Sequence, residues 1–187
     1  MPRSFDIAIA SLALLVLSPI LLLAAIAIKV GSRGPVFYRQ RRVGLGGREF
    51  EMLKLRTMVV GSDPVGVGTV VTRADPRVTG AGRILRRTSL DEIPNLLNVL
   101  RGEMAIVGPR PTIPAQVKDY TSRQHRRHEV RPGITGWAQV QGRAGIPWED
   151  RIELDVHYVD HRSAALDARI LIKTLRLLVT GHGLAPD

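Results

Sequence analysis

The first strongly apolar segment of the chain runs from Ile7 to Ile28 without a charged residue, between Asp6 and Lys29. As a helix rising about 1.5 Å per residue, this segment would be roughly 33 Å long, which matches the hydrocarbon core of a bilayer. A domain of this size has no core large enough to bury such a run on all sides. The pattern therefore predicts a membrane-associated helix within residues 1–30.

Three topologies compete for this helix. A cleaved signal peptide would use Ala25–Ala27 as its small-residue site, but the run is longer than the usual apolar region of a signal, and Lys29 and Arg33 follow it directly. A straight spanning helix and a re-entrant helix that returns to the same face both agree with the length. The apolar pattern leaves these two open.

A Ser18–Pro19 pair lies in the middle of the apolar run. Proline removes a helical hydrogen bond and clashes with the carbonyl four residues earlier, while a serine hydroxyl can satisfy a freed carbonyl in lipid. A kink at Ser18–Pro19 would give two half-helices that enter and leave one leaflet. Arg3 at one end and Lys29 and Arg33 at the other favour two cytoplasmic ends.

Beyond this helix, strand and helix patterns alternate. Three glycines at 44, 46 and 47 indicate a hairpin turn before a strand-like segment, and residues 61–82 are expected to form an irregular loop. Apolar spacing predicts one or two short helices in 83–101. We also expect a polar helix from Pro114 to Val130, a Gly/Pro-rich connection over 131–150, and two helices near 148–159 and 166–179.

The predicted fold class is α+β and mainly helical. Residues 1–30 form the membrane helix, and residues 31–187 form one small domain with a short β-hairpin. The helix at 166–179 has a broad apolar face beside basic residues, which is typical of a helix that faces the core or lies in a membrane interface.

Composition and charge restrict the chemistry. Lys and Arg number 27 against 17 Asp and Glu, a net charge of +10, so the chain should attract phosphates, nucleic acids or acidic lipid surfaces. The absence of cysteine excludes a disulfide scaffold, a zinc ribbon and a thiol nucleophile. An aromatic content of 4% leaves few stacking surfaces for single-stranded nucleic acid.

The densest group of chemically active residues surrounds Asp91 and Glu92. Ser89 and Glu92 have capping-box spacing, which predicts a helix beginning near Ser89 with both carboxylates in its first turn. Arg86 lies just upstream, and carboxylates beside arginines suit a metal-bridged phosphoryl centre, because oxygen ligands hold Mg²⁺ and guanidinium groups bind phosphate. The simpler interpretation is a well-capped surface helix.

Two further segments present arginines. Arg110 stands between Pro109 and Pro111, which hold it extended at little entropic cost, although a rigid turn paired with a core carboxylate explains the same pattern. In the glycine-rich segment 131–143, Arg131 and Arg143 could bind phosphate and Trp137 offers an aromatic face; the alternative is an ordered loop.

Several motifs in the right order resemble the bacterial sugar transferases, specifically the small monotopic phosphoglycosyl transferases that initiate bacterial glycan assembly. The likeness covers essentially the whole chain and looks like the minimal form of the family. The motifs are KLRTM at 54–58, RRTSLDEIPNLLNVLRGEM at 86–104, VGPRP at 107–111, RPGITGWAQ at 131–139 and DVHY at 155–158.

The resemblance implies a role for each matched residue. Asp91 would be the nucleophile and the Mg²⁺-associated carboxylate, Glu92 would support it, and Lys54 and Arg56 would pack beside the pair. Phosphate-binding positions would be Arg86, Arg110 and Arg143, nucleotide or sugar contacts would come from Arg131, Trp137 and Gln141, and Ser18–Pro19 would make the helix re-entrant.

Two departures from the family pattern bear on nucleotide or sugar contacts and not on the phosphoryl step. Gln141-Gly-Arg143-Ala144 replaces the usual Asn-Gly-Arg-Asn, and His157 stands where Tyr is common.

The expected function is therefore transfer of a phosphosugar from a UDP-sugar to polyprenol phosphate, with release of UMP, through a covalent aspartyl intermediate. The resemblance implies Mg²⁺, a cytoplasmic domain on the bacterial inner membrane, no nucleic-acid partner and a possible homodimer. The alternative from another class is a membrane-tethered basic module that binds nucleic acid or anionic lipid without catalysis. That alternative gives no reason for Asp91–Glu92 to interrupt a basic stretch.

Overall fold

A computed structural model describes residues 2–62, 75–142 and 145–180 of the chain, without the side chains of 178 and 179. Most of the loop expected over 61–82 lies outside the described residues. The elements in chain order are α1 (Arg3–Gly31), β1 (Phe37–Val43), β2 (Glu49–Leu55), α2 (Gly80–Arg87), α3 (Asn95–Arg101), β3 (Ala105–Val107), α4 (Pro114–Val117), α5 (Ser122–His125), β4 (Gly133–Thr135), α6 (Trp137–Gln141), α7 (Trp148–Asp160) and α8 (Ala164–Thr180). Short 3₁₀ turns cover Leu45–Gly47, Leu90–Glu92 and Arg126–His128.

The long helix α1 is continuous through Pro19 and is long and apolar enough to cross a membrane. Pro19 cannot donate to the carbonyl of Leu15, and the Ser18 hydroxyl donates to that carbonyl instead, at 2.8 Å. One stripe of α1, including Ala10 and Ala24, packs against the rest of the molecule. The opposite side is apolar and exposed.

The predicted hairpin is confirmed. β1 and β2 pair antiparallel, with Tyr38 opposite Lys54 and Arg42 opposite Phe50, around a turn in which Gly46 has φ +62°. Residues directly opposite each other lie on the same face of a sheet. The alternating residues Tyr38, Gln40 and Arg42 are half-buried and share the face of Lys54, whereas Arg39 and Arg41 are exposed.

Two apolar clusters fix these elements around α1. The first joins Ala10 to side chains of α3, β3, α7 and α8, including Val99, Ile106 and Tyr158. The second joins the C-terminal half of α1 to Leu55 and Leu85, on β2 and α2. The helix is therefore in contact with the domain near both of its ends.

The helix predicted to begin near Ser89 was wrong. Ser89 has φ +56° and makes no side-chain capping bond; it reverses the chain after α2, and a 3₁₀ turn follows. The α-helix starts only after Pro94, because a proline has no N–H for the bonds of a helix interior. Asp91 and Glu92 therefore lie in a tight turn between two helices.

The continuous polar helix expected from Pro114 to Val130 was also wrong. Two one-turn helices and a 3₁₀ turn replace it, and Thr121 caps the second of them through its side chain. The helices at 148–159 and 166–179 are confirmed as α7 and α8. Asp167 and Ile170 of α8 are fully buried, while Ile172 and Leu175 are exposed.

The glycine-rich connection over 131–150 contains structure that the sequence did not indicate. β4 pairs parallel with β3, and α6 follows it. Strand β4 is only three residues long, and a Cβ on Gly133 would lie 2.1 Å from the backbone nitrogen of Gly108. This pairing therefore depends on the close approach of two backbones at glycines. Such a short strand has no alternation of apolar and polar residues by which the sequence could have predicted it.

Candidate active site

The acidic pair lies where the hairpin, the α2–α3 turn and the segment before α4 meet. Lys54 reaches it from β2, and Arg110 reaches it from the proline-flanked segment. Asp91 and Glu92 are adjacent in the 3₁₀ turn that Ser89 opens, so one tight turn presents both carboxylates to the same cationic surroundings. The structure thus assembles three sequence-distant segments around the predicted pair.

Glu92 is held by two cations. Its Oε1 accepts hydrogen bonds from Lys54 Nζ and Arg110 Nη2, each at 2.8 Å, and the Lys54 and Glu92 side chains are largely buried. Burial would raise the pKa of Glu92, but Arg110 and Lys54 outweigh it and hold that pKa well below its ordinary value. Glu92 is therefore a fixed anion that positions Lys54 and Arg110.

Asp91 has the opposite environment. Among the residues that the structure describes, its carboxylate has no hydrogen-bond or ion-pair partner. Burial raises the pKa of Asp91 to about 6; Lys54 opposes the rise and Glu92 adds to it. The carboxylate is thus ionised near neutral pH, surrounded by cations and free to react.

Arg42 is a neighbour that sequence reasoning missed. Its guanidinium donates to Gln40 Oε1 at 2.6 Å and to the Pro111 carbonyl at 3.0 Å. Burial lowers the pKa of Arg42 to about 10, with Arg110 lowering it further and Glu92 raising it. The sequence contained a signal for this position. Because side chains alternate along a strand, Arg42 lies on the face of Lys54, whereas Arg39 and Arg41 lie on the opposite face.

A buried network behind the site supports Arg110. Arg127 donates to the Arg110 carbonyl at 2.9 Å, to the Tyr120 hydroxyl at 2.8 Å and to the Asp155 carboxylate. Both Arg127 and Asp155 are almost fully buried. Burial raises the pKa of Asp155 to about 6, against the attraction of Arg127. The backbone at Arg110 is therefore fixed by a side chain of α7 acting through Arg127.

Two other predicted residues have partners of their own. Arg86 donates to Thr57 Oγ1 at 2.9 Å and lies close enough to Asp91 to lower its pKa. Arg56 is buried and donates to the Ser32 and Arg33 carbonyls at 2.9 and 2.8 Å. Arg56 therefore binds the end of α1 to β2, whereas Lys54 contacts the acidic pair.

The predicted nucleotide and sugar residues fall into two places. Lys173 Nζ donates to Gln141 Oε1 at 3.0 Å and lies 4.9 Å from the Trp137 ring centroid, so α6 and α8 group these side chains. Arg131 donates from Nε to the Gly102 carbonyl, at the far end of α3 from the acidic pair. Arg143 lies outside the described residues. Their roles remain predictions.

The donor set of the acidic pair fits a magnesium ion of the kind that substrates help to hold. No group of three or more potential metal-ligating side chains occurs within the described ranges. Mg²⁺ commonly binds through one or two carboxylates together with substrate phosphates and water. Asp91 has both oxygens available for this role, whereas Glu92 is already engaged by Lys54 and Arg110.

These features define a class of protein: an α+β domain built on a long apolar helix, with an acidic, cation-lined centre suited to phosphorylated substrates. Residues 1–181 match the family model described as bacterial sugar transferase. The chain belongs to that family, and the resemblance drawn from its motifs is confirmed.

Curated relatives include proteins of similar and of greater length. The uncharacterized sugar transferase EpsL of Bacillus subtilis is 45% identical, with 97% of this chain and 89% of that protein covered. The UDP-glucose:undecaprenyl-phosphate glucose-1-phosphate transferase of Caulobacter vibrioides is 45% identical, with 95% and 69% covered. An undecaprenyl-phosphate N-acetylgalactosaminephosphotransferase of Aeromonas hydrophila is 39% identical; this chain spans only 44% of its length.

Proposed function

We propose that this chain is a phosphoglycosyl transferase that moves a phosphosugar from a UDP-sugar to undecaprenyl phosphate in bacterial glycan synthesis. The observation that carries the proposal is the contrast within one turn: Glu92 binds Lys54 and Arg110, while the adjacent Asp91 carboxylate has no bonded partner among the described residues and lies among the same cations. The names of the Caulobacter and Aeromonas relatives support the substrate classes. A non-catalytic basic module would not require an unbonded carboxylate among its cations.

In the first step, an Asp91 carboxylate oxygen attacks the sugar-proximal phosphorus of the UDP-sugar. The bond from that phosphorus to the bridging oxygen breaks, UMP departs with the bridging oxygen and its electron pair, and an aspartyl phosphosugar forms. Arg110 and Lys54, oriented by Glu92, are placed to stabilise charge on the transferring group. Mg²⁺ bound at Asp91 and the substrate phosphates would add charge neutralisation.

In the second step, a phosphate oxygen of undecaprenyl phosphate attacks the same phosphorus. The bond to Asp91 breaks, which regenerates the carboxylate and releases undecaprenyl-diphospho-sugar. Because both the donor anhydride and the acyl phosphate are high-energy linkages, the intermediate need not be a thermodynamic sink. Arg42 and Arg86, both close to the pair, extend the cationic surface for donor or acceptor phosphates.

We further propose that α1 is re-entrant, so that residues 31–187 lie at the cytoplasmic face of the inner membrane. Both ends of α1 bind the same domain: Asp6 accepts from the Ile106 N–H at 3.0 Å, and Ser32 and Arg33 accept from Arg56. A spanning helix would move one end to the other side of the bilayer and break one of these sets. The Ser18–Pro19 pair supplies the point at which the helix could bend in lipid. A homodimer stays a prediction.

The test of the activity is nucleotide release. The protein in detergent micelles is incubated with Mg²⁺, undecaprenyl phosphate and a panel of UDP-sugars, and UMP and UDP are separated chromatographically. We expect multiple-turnover UMP release with at least one sugar, reduced about a hundredfold in Arg110→Gln and unchanged in Arg41→Gln, whose arginine is exposed. Release of UDP, or of no nucleotide with any sugar, would contradict phosphosugar transfer.

The topology of α1 is tested separately by cysteine labelling. Because the chain contains no cysteine, each introduced cysteine is the single labelling site. Ser4→Cys is exposed to an impermeant maleimide added outside spheroplasts, and Ser122→Cys serves as the domain control. A re-entrant helix leaves both unlabelled until the cells are permeabilised. Labelling of Ser4→Cys from outside in the chain with Pro19 intact would establish a spanning helix.

A further inference from the structure

A polar cavity of about 180 Å³ lies beside the start of α1, away from the acidic pair. Arginines from three separate parts of the chain line it: Arg3 from α1, Arg131 from the residues before β4, and Arg162 from the connection between α7 and α8. Two carboxylates, Asp6 and Glu129, line it as well. The side chains around this cavity, called the α1 cavity below, therefore carry an excess of positive charge.

The arginines of the α1 cavity are not neutralised by its carboxylates. Within residues 2–62, 75–142 and 145–180, none of the three forms an ion pair with a carboxylate. Arg3 donates to carbonyls at the end of α3, and Arg131 uses Nε for the Gly102 carbonyl. Toward the part of the chain that the structure describes, the terminal nitrogens of Arg131 and the whole guanidinium of exposed Arg162 make no hydrogen bond.

Each carboxylate already has another partner. Asp6 Oδ1 accepts from the backbone N–H of Ile106 at 3.0 Å, and Glu129 pairs with Arg126 at 3.1 Å. Both acids therefore have structural roles. The guanidinium groups of Arg131 and Arg162, in contrast, have no negative partner among the described residues. Guanidinium groups in such an arrangement bind phosphate through paired N–H donors.

The α1 cavity is separate from the proposed active centre. Glu92 lies just before α3, and the Gly102 carbonyl that binds Arg131 lies just after it. The seven residues of α3 alone place roughly 10 Å between the two regions. No step of the proposed transfer uses a side chain of this cavity.

We propose that the α1 cavity binds the phosphate of an anionic ligand, and that its ligand in the cell is the phosphodiester of a membrane lipid headgroup. The position favours a lipid over a free anion, because Arg3 and Asp6 line the cavity from the apolar helix α1, on which the neighbouring residues Phe5 and Ile7 are exposed. The volume accommodates a phosphate with part of a glycerol. The sequence suggested that Arg131 binds phosphate, and the resemblance suggested a nucleotide or sugar contact; the proposed lipid phosphate agrees with the first of these at a place away from the acidic pair.

The test measures binding of two soluble probes, sn-glycero-3-phosphoglycerol and inorganic phosphate, to the protein in neutral detergent by calorimetric titration. All titrations use the Arg110→Gln background, which weakens anion binding at the acidic pair. Arg162→Gln removes one cavity cation, Arg41→Gln removes one exposed cation elsewhere, and Glu129→Gln removes a cavity anion.

We expect Arg162→Gln to weaken binding of the glycerophosphodiester about tenfold, Arg41→Gln to leave it unchanged, and Glu129→Gln to tighten it severalfold. The same pattern with inorganic phosphate alone would support the anion site and assign it to free phosphate, against the lipid source. Equal affinities of Arg162→Gln and Arg41→Gln for both probes, or no saturable binding, would overturn the proposal. Circular dichroism confirms that each variant is folded.

Discussion

Asp91 and Asp155 are both carboxylates whose pKa burial raises to about 6, yet their surroundings give them different roles. Asp155 is 2% exposed and bonded to Arg127, so its charge is committed to a structural pair. Asp91 has no bonded partner within the described part of the chain, whereas the adjacent Glu92 binds Lys54 and Arg110. A raised pKa therefore does not by itself separate a candidate nucleophile from a structural carboxylate, whereas the partners of each carboxylate do.

The largest effect should come from Asp91→Asn, which removes the attacking oxygen while keeping the shape of the side chain. We expect UMP formation to fall about 10⁴-fold or more, as for loss of a covalent nucleophile. Single-turnover assays with Mg²⁺ and a UDP-sugar measure it. Activity within tenfold of the unaltered chain would show that Asp91 is not the nucleophile.

Asp91→Asn should also raise the free energy of unfolding of the protein at neutral pH. A carboxyl whose pKa is raised by folding contributes stability at low pH that is lost as pH rises through about 6, so Asp91 destabilises the ionised protein. Thermal unfolding should show Asp91→Asn more stable by up to about 3 kcal/mol at pH 7.5 and equal to the unaltered chain well below pH 4, where the carboxyl is protonated in both the folded and the unfolded state.

The matching change in the core, Asp155→Asn, should act in the opposite direction. It leaves the Arg127 guanidinium buried without a counter-charge, which costs about 3–5 kcal/mol of unfolding free energy. Asp160→Asn is the control, since its partner Arg126 is partly exposed and a solvent-screened pair of this kind should contribute little to stability. Denaturant unfolding of Asp155→Asn and Asp160→Asn in micelles measures the free energy of unfolding that each variant loses. Equal losses would contradict the structural role assigned to Asp155.

Glu92→Gln should make the surroundings of Asp91 resemble those of Asp155, whose carboxylate is bonded to a cation. Lys54 and Arg110, released from Glu92, would bind Asp91, lower its pKa and reduce its nucleophilicity. We expect a loss of roughly 10²-fold in the single-turnover rate and an acidic limb displaced to lower pH. Glu153→Gln removes an exposed acid of another pair and should change neither. An unchanged rate in Glu92→Gln would show that Glu92 does not position the cations.

The smallest effect is the pH dependence of the unaltered protein. Attack requires the ionised carboxylate, and burial raises the pKa of Asp91 to about 6. The single-turnover rate should therefore be constant above about pH 7 and should fall about tenfold for each unit below pH 6. A single-turnover rate that begins to fall only near pH 4 would show that Asp91 is more solvated than it is in the structure.

The sequence predicted the parts of this molecule that local signals specify. Alternation and glycines identified the hairpin, and helical spacing identified α7 and α8. The structure brings together Lys54, Glu92 and Arg110 from motifs far apart in the sequence, while their catalytic roles stay predictions. A dipeptide of acids gave no indication of which carboxylate would be bonded, because Lys54 is 38 residues from Glu92.

Non-local packing explains what the sequence did not reveal. The apparent capping box at Ser89 failed because that residue reverses the chain with φ +56°, which local spacing does not encode. The Arg127–Asp155 pair joins residues 28 apart, and Arg56 binds the end of α1 rather than the acidic pair. Such contacts depend on how distant elements meet.

The central claim is that Asp91 captures the phosphosugar covalently. The most direct measurement is intact and peptide mass spectrometry of the protein after mixing with Mg²⁺ and its UDP-sugar donor, with the acceptor withheld and the sample quenched in acid. We predict one added phosphosugar on the peptide containing Asp91, formed together with one equivalent of UMP and absent in Asp91→Asn. UMP formation that requires the acceptor, with no modified peptide, would contradict a covalent intermediate.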